Sequence, residues 1–309
     1  MDKISYWKSF NLCKEVSLAG IFIYNGIKTF DEMDSFHNEE EIFDFFYNIA
    51  VGIERLEKIA LILKEKIEIE KIQEFERSLK THNHIELMDR IVEGKVVFND
   101  TQTAFLCLLK NFYKNWRYDR YSVNDCKNCD KEKQALIVFL EKHYNLQIND
   151  EIFNTTQNSD RIKKSLGKCI GKIVIYLYEQ IKEYSHQNNV FTYEVKYNSK
   201  AYKIFIRQEF DFILENKLWK EVLVYILNNQ NNEYLNFYKS LPPLDFDEAD
   251  LVTLINSFKN DINKIECIEN LESLYDEMDN QTRKKRNDFL DLIGNESLEL
   301  SDEIDYNND

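Results

Sequence analysis

Apolar residues recur at helical spacing along most of this 309-residue chain. The clearest run is Ile42, Phe46, Ile49, Ile53, Leu56, Ala60 and Leu63, in alternating steps of four and three residues. That spacing places all seven on one face of an α-helix. Similar patterns predict helices over 17–33, 83–94, 100–116, 130–144, 160–184 and 209–227, with weaker helical segments up to Ile293. Long apolar stripes that face each other imply a helical bundle.

One segment has a different period. Over 190–206, apolar and polar residues alternate on either side of Asn198-Ser199, which can turn the chain. This pattern predicts a β-hairpin. The predicted fold is therefore mainly α: a helical bundle followed by a second helical region that carries one β-hairpin.

Composition shifts suggest three parts. A polar, Asn-rich stretch over 145–159 predicts a boundary, so that 1–148 forms the bundle and 149–294 the second helical region. The last part, 295–309, holds six acidic residues and no basic one. We expect this acidic tail to be disordered, because it has few apolar anchors.

Composition and charge narrow the classes further. The chain contains only 7 Gly and 2 Pro residues, whereas these two residue types make up roughly 12% of an average protein. Because the many turns of a β-sandwich or barrel use Gly and Pro, their scarcity argues against those folds. The formal net charge is −15, which disfavours nucleic-acid binding over the whole surface. Any nucleic-acid site must then be a local basic patch.

Motifs for location, metals and phosphate chemistry are sparse. The N-terminus has no signal-peptide pattern, and the longest apolar stretches are far shorter than a membrane span, so we expect a cytoplasmic protein without a membrane partner. Cys126 and Cys129 form a lone CxxC, with His143 as the one nearby imidazole. Structural zinc needs four ligands, so no metal and no cofactor is expected. No P-loop, GxSxG or HExxH motif is present, which excludes the hydrolase mechanisms that depend on them.

The remaining polar residues cluster at two helix ends. His82, Asn83 and His84 begin one predicted helix, and the string from Asn115 to Ser122 ends the next. Taken singly these are cap residues and a solvated helix end. Together, arginines interleaved with aromatic rings are typical of a surface that binds phosphate and stacks bases. The start of one antiparallel bundle helix and the end of the next lie at the same pole, so the two groups should meet.

Three segments carry a family resemblance. Ser17-Leu18-Ala19-Gly20, the stretch Gly52-Ile53-Glu54-Arg55-Leu56-Glu57-Lys58 and the stretch Thr81-His82-Asn83-His84-Ile85-Glu86-Leu87 follow in the order found in the HEPN superfamily. The resemblance covers about 5–144. It implies a bundle of four or five helices that is usually dimeric. Many HEPN proteins are metal-independent ribonucleases of toxin–antitoxin, CRISPR and abortive-infection systems, and others are inactive binding modules.

Active HEPN members carry an Arg followed after four to six residues by a His. The His takes the proton of a ribose 2′-hydroxyl and the Arg stabilises charge on the phosphate. This chain departs from that pattern, because no His follows Arg117 within six residues. A literal match, Arg77 to His82, lies one helix earlier.

Two functional hypotheses follow. In the first, the protein is a HEPN-like ribonuclease and a growth-arrest toxin in bacterial antiviral defence, with RNA, a second copy and an antitoxin or defence-system protein as partners. Its expected catalytic residues are Arg117, Arg120, His84 and His82, and its expected substrate-binding residues are Asn83, Asn115, Tyr118, Asp119 and Tyr121. In the alternative, the bundle is an inactive dimerisation and RNA- or protein-binding module, and the C-terminal half is the recognition element.

Overall fold

The computed structural model describes residues 3–65, 69–119, 121, 123, 130–151, 154–229, 232–258 and 264–294. The prediction of a mainly α fold is confirmed. The described residues contain no strand, and their one β-type contact is an isolated antiparallel bridge between Ser35 and Gln157. The chain forms two compact units, one ending at Phe212 and the other beginning at Ile213.

The first unit is built from ten helices among the described residues. They are α1 Lys3–Tyr6, α2 Leu12–Glu32, α3 Glu39–Lys64, α4 Ile72–Ser78, α5 His84–Val92, α6 Asp100–Asn111, α7 Arg117–Asp119, α8 Lys131–Tyr144, α9 Asp160–Gln187 and α10 Lys200–Phe205. A 3₁₀ turn, Ile69–Lys71, precedes α4, and two π-helical segments, Trp7–Asn11 and Phe112–Trp116, join α1 to α2 and α6 to α7.

Helix α3 lies at the centre of this unit, between α2 and α9. The predicted stripe from Ile42 to Leu63 is confirmed as core, since each of its seven side chains is at most 1% exposed. Gly52 allows α2 to approach closely, because a Cβ atom there would lie 2.6 Å from Cγ1 of Ile23. The apolar stripe of the central helix is therefore covered along its whole length.

The bundle does not end near residue 148 as predicted. Helix α9 buries its own apolar stripe in the same core, and the first unit extends to Phe212. Asn158, in the polar stretch before α9, is hydrogen-bonded to the bundle. Its Nδ2 donates to the backbone carbonyls of Phe30, at 2.7 Å, and Met33, at 3.2 Å. A polar side chain that satisfies buried backbone groups looks, in sequence alone, like a loop residue.

The predicted β-hairpin over 190–206 is absent from the structure. Turns lead into α10, which Ser199 caps by accepting a hydrogen bond from the backbone N–H of Tyr202 at 3.1 Å. Ala201, Ile204 and Phe205 are buried, which is the spacing of a helical face. Ala201 sits directly against Gly20 of α2. Tertiary packing on a glycine has overridden the alternating pattern.

The second unit contains α11 Ile213–Asn228, α12 Glu233–Lys239, α13 Leu251–Ser257, α14 Lys264–Asp276 and α15 Asn280–Leu290. Its best-defined packing is the stacked pair Phe237 and Phe289, whose ring centroids are 4.7 Å apart. None of the side chains described in this unit is fully buried. The predicted acidic tail, 295–309, lies outside the described residues.

We predict that Ile53→Asp destabilises the protein by roughly 3 kcal/mol or more, because it places an unpaired carboxylate in the core. Urea unfolding followed by circular dichroism measures the change. Val138→Asp is the matched control: that side chain is 59% exposed on α8, so its cost should stay below about 1 kcal/mol. Equal costs for the two variants would contradict the central position of α3.

Candidate active site

Two carboxylates on α3 meet two imidazoles at the start of α5. Glu54 and Glu57 are three residues apart on α3, which puts both on one side of the helix. Oε2 of Glu54 lies 2.8 Å from Nδ1 of His82, and Oε2 of Glu57 lies 2.9 Å from Nδ1 of His84. The two pairs have the same chemistry and very different surroundings.

The Glu57–His84 pair is sealed inside the bundle. Both side chains are 0% exposed, and burial raises the pKa of the Glu57 carboxyl, with the imidazole of His84 opposing that rise. Nε2 of His84 and Oε1 of Glu57 have no hydrogen-bond partner among the described residues. A substrate cannot reach His84, so the structure places it in the core and not in the candidate site.

The Glu54–His82 pair reaches the surface through His82, while Glu54 is buried. The His82 side chain is 47% exposed. The other oxygen of Glu54, Oε1, forms an ion pair with Nζ of Lys58 at 2.6 Å. A carboxylate facing Nδ1 favours the tautomer in which Nδ1 carries the proton and Nε2 is left as a base. His82, oriented by Glu54, therefore has the arrangement of a general base.

Tyr113 joins His82 to Arg117. The centroid of the tyrosine ring lies 4.4 Å from that of the His82 ring and 4.0 Å from Cζ of Arg117. The imidazole centre and the guanidinium carbon are consequently at most 8.4 Å apart, the sum of these two distances. Burial raises the pKa of the Tyr113 hydroxyl, and the charge of Glu54 adds to that rise while Arg117 opposes it. The expected meeting of the two helix ends is thus observed for His82 and Arg117.

The backbone before Arg117 is unusual. Tyr113 belongs to the π-helical segment Phe112–Trp116, which continues α6 into the short helix α7. Segments of this kind occur frequently at functional sites, because they rotate the following side chains relative to an unbroken α-helix. Arg117 also lies 4.5 Å from the centroid of the Tyr118 ring and donates from Nη2 to the Tyr118 hydroxyl.

The other predicted site residues are divided. Asn115, Tyr118 and Tyr121 are exposed, the last two by 56% and 88%. Asp119 forms an ion pair with Lys131, with Oδ2 2.7 Å from Nζ, and this contact connects α7 to α8. Asn83 is half-buried and donates from Nδ2 to Glu86 at 3.4 Å. Arg120 lies outside the described residues, as do Cys126 and Cys129.

A cleft of about 660 Å³ adjoins this site, and Glu54 and Tyr113 form part of its wall. Lys14, Arg55 and Lys58 bring three cations to it, and Trp7 an aromatic ring. Arg55 is paired with Glu15 and lies over the ring of Phe22, with Cζ 5.4 Å from its centroid. Glu15 and Glu54 also line the cleft and are paired with Arg55 and Lys58, so one formal positive charge remains on its wall, together with apolar and aromatic surface next to the exposed imidazole.

Glu54 and Tyr113 are the site residues that sequence reasoning missed. Glu54 lies within the HEPN-like segment 52–58, but nothing in the residue spacing identifies Glu54 as a partner of His82. Glu57 was detectable, because it occupies a core position between Ile53 and Ala60 of the apolar stripe, where a carboxylate needs a buried partner. By the same logic His84 shares its helical face with Leu87, Met88 and Ile91.

The described residues contain no group of three or more His, Cys, Asp or Glu side chains that could hold a metal ion. Within the same part of the chain, no helix is both long and apolar enough to cross a bilayer. Comparisons with known protein families, curated proteins and solved structures find no significant match. The function must be argued from the site itself.

The two histidines should differ sharply in their contribution to stability. His84→Ala should lower the unfolding free energy by about 3–5 kcal/mol, because it strands a buried carboxyl and opens a cavity. His82→Ala should cost less than about 1 kcal/mol, since its pair is partly solvated. Urea unfolding of both variants gives the comparison. Similar losses would mean that the exposed pair also holds the fold.

The buried carboxyl also predicts a pH dependence. Because the folded-state pKa of Glu57 is raised, this group keeps its proton to higher pH than in the unfolded chain, where a Glu titrates near pH 4.3. Its contribution to stability is therefore complete at low pH and is lost as the pH rises through the folded-state pKa.

Glu57→Gln should remove this term, since an amide has no such proton to lose. The unfolding free energy of the wild type minus that of Glu57→Gln should then decrease as the pH is raised from 4 to 7, as measured by urea unfolding. Glu151→Gln, at an exposed carboxylate, should leave a difference that changes little. A difference that increases with pH would show that His84 holds Glu57 ionised.

Proposed function

We propose that this protein is a HEPN-like, metal-independent endoribonuclease. One observation carries the proposal: an exposed imidazole, oriented by a carboxylate, lies within 8.4 Å of an arginine across a shared tyrosine ring. A base and an anion-binding group at this separation suit the cleavage of RNA at a phosphodiester beside a ribose 2′-hydroxyl. In this proposal His82 is the base and His84 is not, because the His82 side chain is 47% exposed and the His84 side chain is 0% exposed.

The reaction needs one proton acceptor and charge stabilisation. Nε2 of His82 takes the proton of the 2′-hydroxyl, and the 2′-oxygen forms a bond to phosphorus as the bond from phosphorus to the 5′-oxygen breaks. The leaving 5′-oxygen takes a proton from water, and the protonated His82 returns its proton to the hydroxide that forms. The products are a 2′,3′-cyclic phosphate and a 5′-hydroxyl. Glu54 is a positioning residue, because it holds the imidazole and stabilises its protonated form. Arg117 stabilises the charge that develops on the phosphate oxygens.

The adjoining cleft provides a path for the strand. Lys14 and Lys58 are suited to phosphates and Trp7 to a base. After the carboxylates of Glu15 and Glu54 are counted, the cleft wall keeps one formal positive charge, which makes it a better place for an RNA strand than most of the surface of a chain of net charge −15. In this proposal the exposed rings of Tyr118 and Tyr121 extend the contact, and Asn83 and Asn115 lie at its edge.

The biological setting is part of the same proposal. The resemblance to HEPN proteins suggests a cytoplasmic homodimer that acts as a growth-arrest toxin in antiviral defence by abortive infection. An antitoxin or another defence-system protein would then control it. These features rest on the resemblance and not on the geometry of the site.

An inactive RNA- or protein-binding module is the second candidate. Three observations favour it: His84 is buried, no histidine follows Arg117 within six residues, and Arg117 contacts the Tyr118 hydroxyl. In that case His82, Arg117 and the cleft would bind a ligand without transferring a proton. Cleavage and binding must therefore be measured separately.

We predict that His82→Ala reduces the rate of RNA cleavage by about 10²–10⁴-fold, and Arg117→Ala by about 10²–10³-fold. Glu54→Gln should lower the rate less and change its pH dependence, because an amide does not stabilise the protonated imidazole. The assay uses labelled single-stranded RNA and the full chain. Growth and RNA integrity are followed in parallel in cells that express each variant.

His37→Ala and Arg161→Ala are matched controls, since both side chains are exposed elsewhere in the first unit. Both should retain wild-type cleavage. RNA binding without cleavage by the wild type would favour the inactive module. Cleavage that survives in His82→Ala would rule out the assignment of the base.

A further inference from the structure

A second pocket, separate from the candidate active site, lies between α2 and the segment 197–209. Its volume is about 390 Å³, within the ~300–1,000 Å³ usual for small-molecule sites. Rings and cations dominate its wall: Tyr24, Tyr197, Tyr202, Lys200, Lys203 and Arg207. We call it the Tyr197 pocket. All of its residues belong to the first unit, and none is shared with the 660 Å³ cleft.

The Tyr197 ring is presented to solvent as a stacking surface. Tyr197 is 69% exposed and contacts Tyr202 edge to face, with ring centroids 5.0 Å apart and an angle of 71° between the planes. The neighbouring Asn198 adopts a left-handed backbone, with φ 54°, which turns the chain directly after this ring. An exposed aromatic ring that is braced by a second one is suited to stacking on a planar ligand.

The cations are held in place around this ring. Nζ of Lys200 donates to Oδ1 of Asn25 at 2.8 Å and lies 5.0 Å from the centroid of the Tyr24 ring. Arg207 is 62% exposed and donates from both Nε and Nη2 to one oxygen of Glu209, at 2.9 and 2.7 Å. These contacts orient both cations, so less entropy is lost when they bind an anion.

The local charge is opposite to that of the whole protein. The pocket is lined by three cations, Lys200, Lys203 and Arg207, and Glu209 is the one carboxylate among the described residues that line it. Two formal positive charges therefore remain on the pocket wall of a chain whose net charge is −15. The electrostatic potential therefore makes this pocket a better site for an anionic ligand than most of the remaining surface.

We propose that the Tyr197 pocket binds a nucleotide unit, with the base stacked on Tyr197 and the phosphate between Lys200 and Arg207. The same chemistry is offered by a free nucleotide and by one residue of single-stranded RNA. The proposal goes beyond the proposed nuclease function, because it involves other residues and requires no cleavage.

The test measures binding to the full chain carrying His82→Ala, so that RNA stays intact. The probes are a short fluorescein-labelled single-stranded RNA, followed by anisotropy, and AMP, followed by calorimetry. Tyr197→Ala should weaken the binding of at least one probe by about fivefold or more. Tyr197→Phe should retain the affinity. Tyr225→Ala, at a tyrosine 55% exposed in the second unit, is the matched control and should change nothing.

Lys200→Gln tests the phosphate contact. It should weaken the same probe, and with RNA it should reduce the salt dependence of the affinity by about 0.7 in the log–log slope. Lys182→Gln, at a lysine whose side chain is 36% exposed on α9, is the control. Thermal unfolding of each variant separates loss of binding from loss of fold.

The two probes identify the ligand's source. Weakening of both AMP and RNA by Tyr197→Ala indicates a free nucleotide, and weakening of RNA alone indicates a strand. The proposal is overturned if Tyr197→Ala binds both probes as tightly as Tyr197→Phe. It is also overturned if inorganic phosphate binds as tightly as AMP and with no dependence on Tyr197. If the wild type does not cleave RNA but this binding is observed, the result counts against the proposed nuclease and not against the Tyr197 pocket.

Discussion

The buried contact between Glu57 and His84 is the constraint on which the arrangement of the candidate site depends. A carboxyl at 0% exposure must have a polar partner, and the imidazole of His84 provides it. This contact fixes the start of α5 against the middle of α3. It also fixes the position of His82, two residues earlier, whose Nδ1 then lies 2.8 Å from Glu54. One fully buried pair therefore positions a second pair in which the imidazole alone is exposed, and the rigidity of the first preorganises the second.

Much of the fold follows from the periodicity of apolar residues. The helices around Ile53 and Ile170 are long, their stripes are unbroken, and each buries its stripe as the pattern requires. The reasoning failed where local pattern and tertiary packing disagree. The alternation around Tyr202 resembles a strand, but Ala201 packs on Gly20 and selects a helix, and no local signal reveals that contact. Asn158 looked like a linker residue because its two buried acceptors are distant in sequence.

The candidate site was predictable to about the same degree. The antiparallel arrangement of consecutive helices correctly brought the His82 segment near Arg117. That arrangement alone did not distinguish His82 from His84, although the apolar spacing of Leu87, Met88 and Ile91 places His84 on the buried face of α5. It also gave no role to Tyr113, because a tyrosine beside Phe112 in an apolar helix is indistinguishable from a core residue. In the structure Tyr113 lies on the π-helical segment Phe112–Trp116, and its ring contacts both His82 and Arg117.

The geometry also bears on the histidine that the sequence lacks after Arg117. A general base needs a position within reach of the substrate, an orienting partner and solvent access, and none of these requires that it lie on the same helix as the arginine. Here Arg117 lies at the end of the α6–α7 segment, His82 lies just before α5, and the orienting carboxylate of Glu54 lies on α3. Since these three elements are joined by Tyr113 and by the buried pair beneath them, the same pairing of base and anion-binding group can be assembled from separate parts of the chain. In the proposed mechanism, the missing histidine then marks a difference in how the site is built, and the test of activity falls on His82.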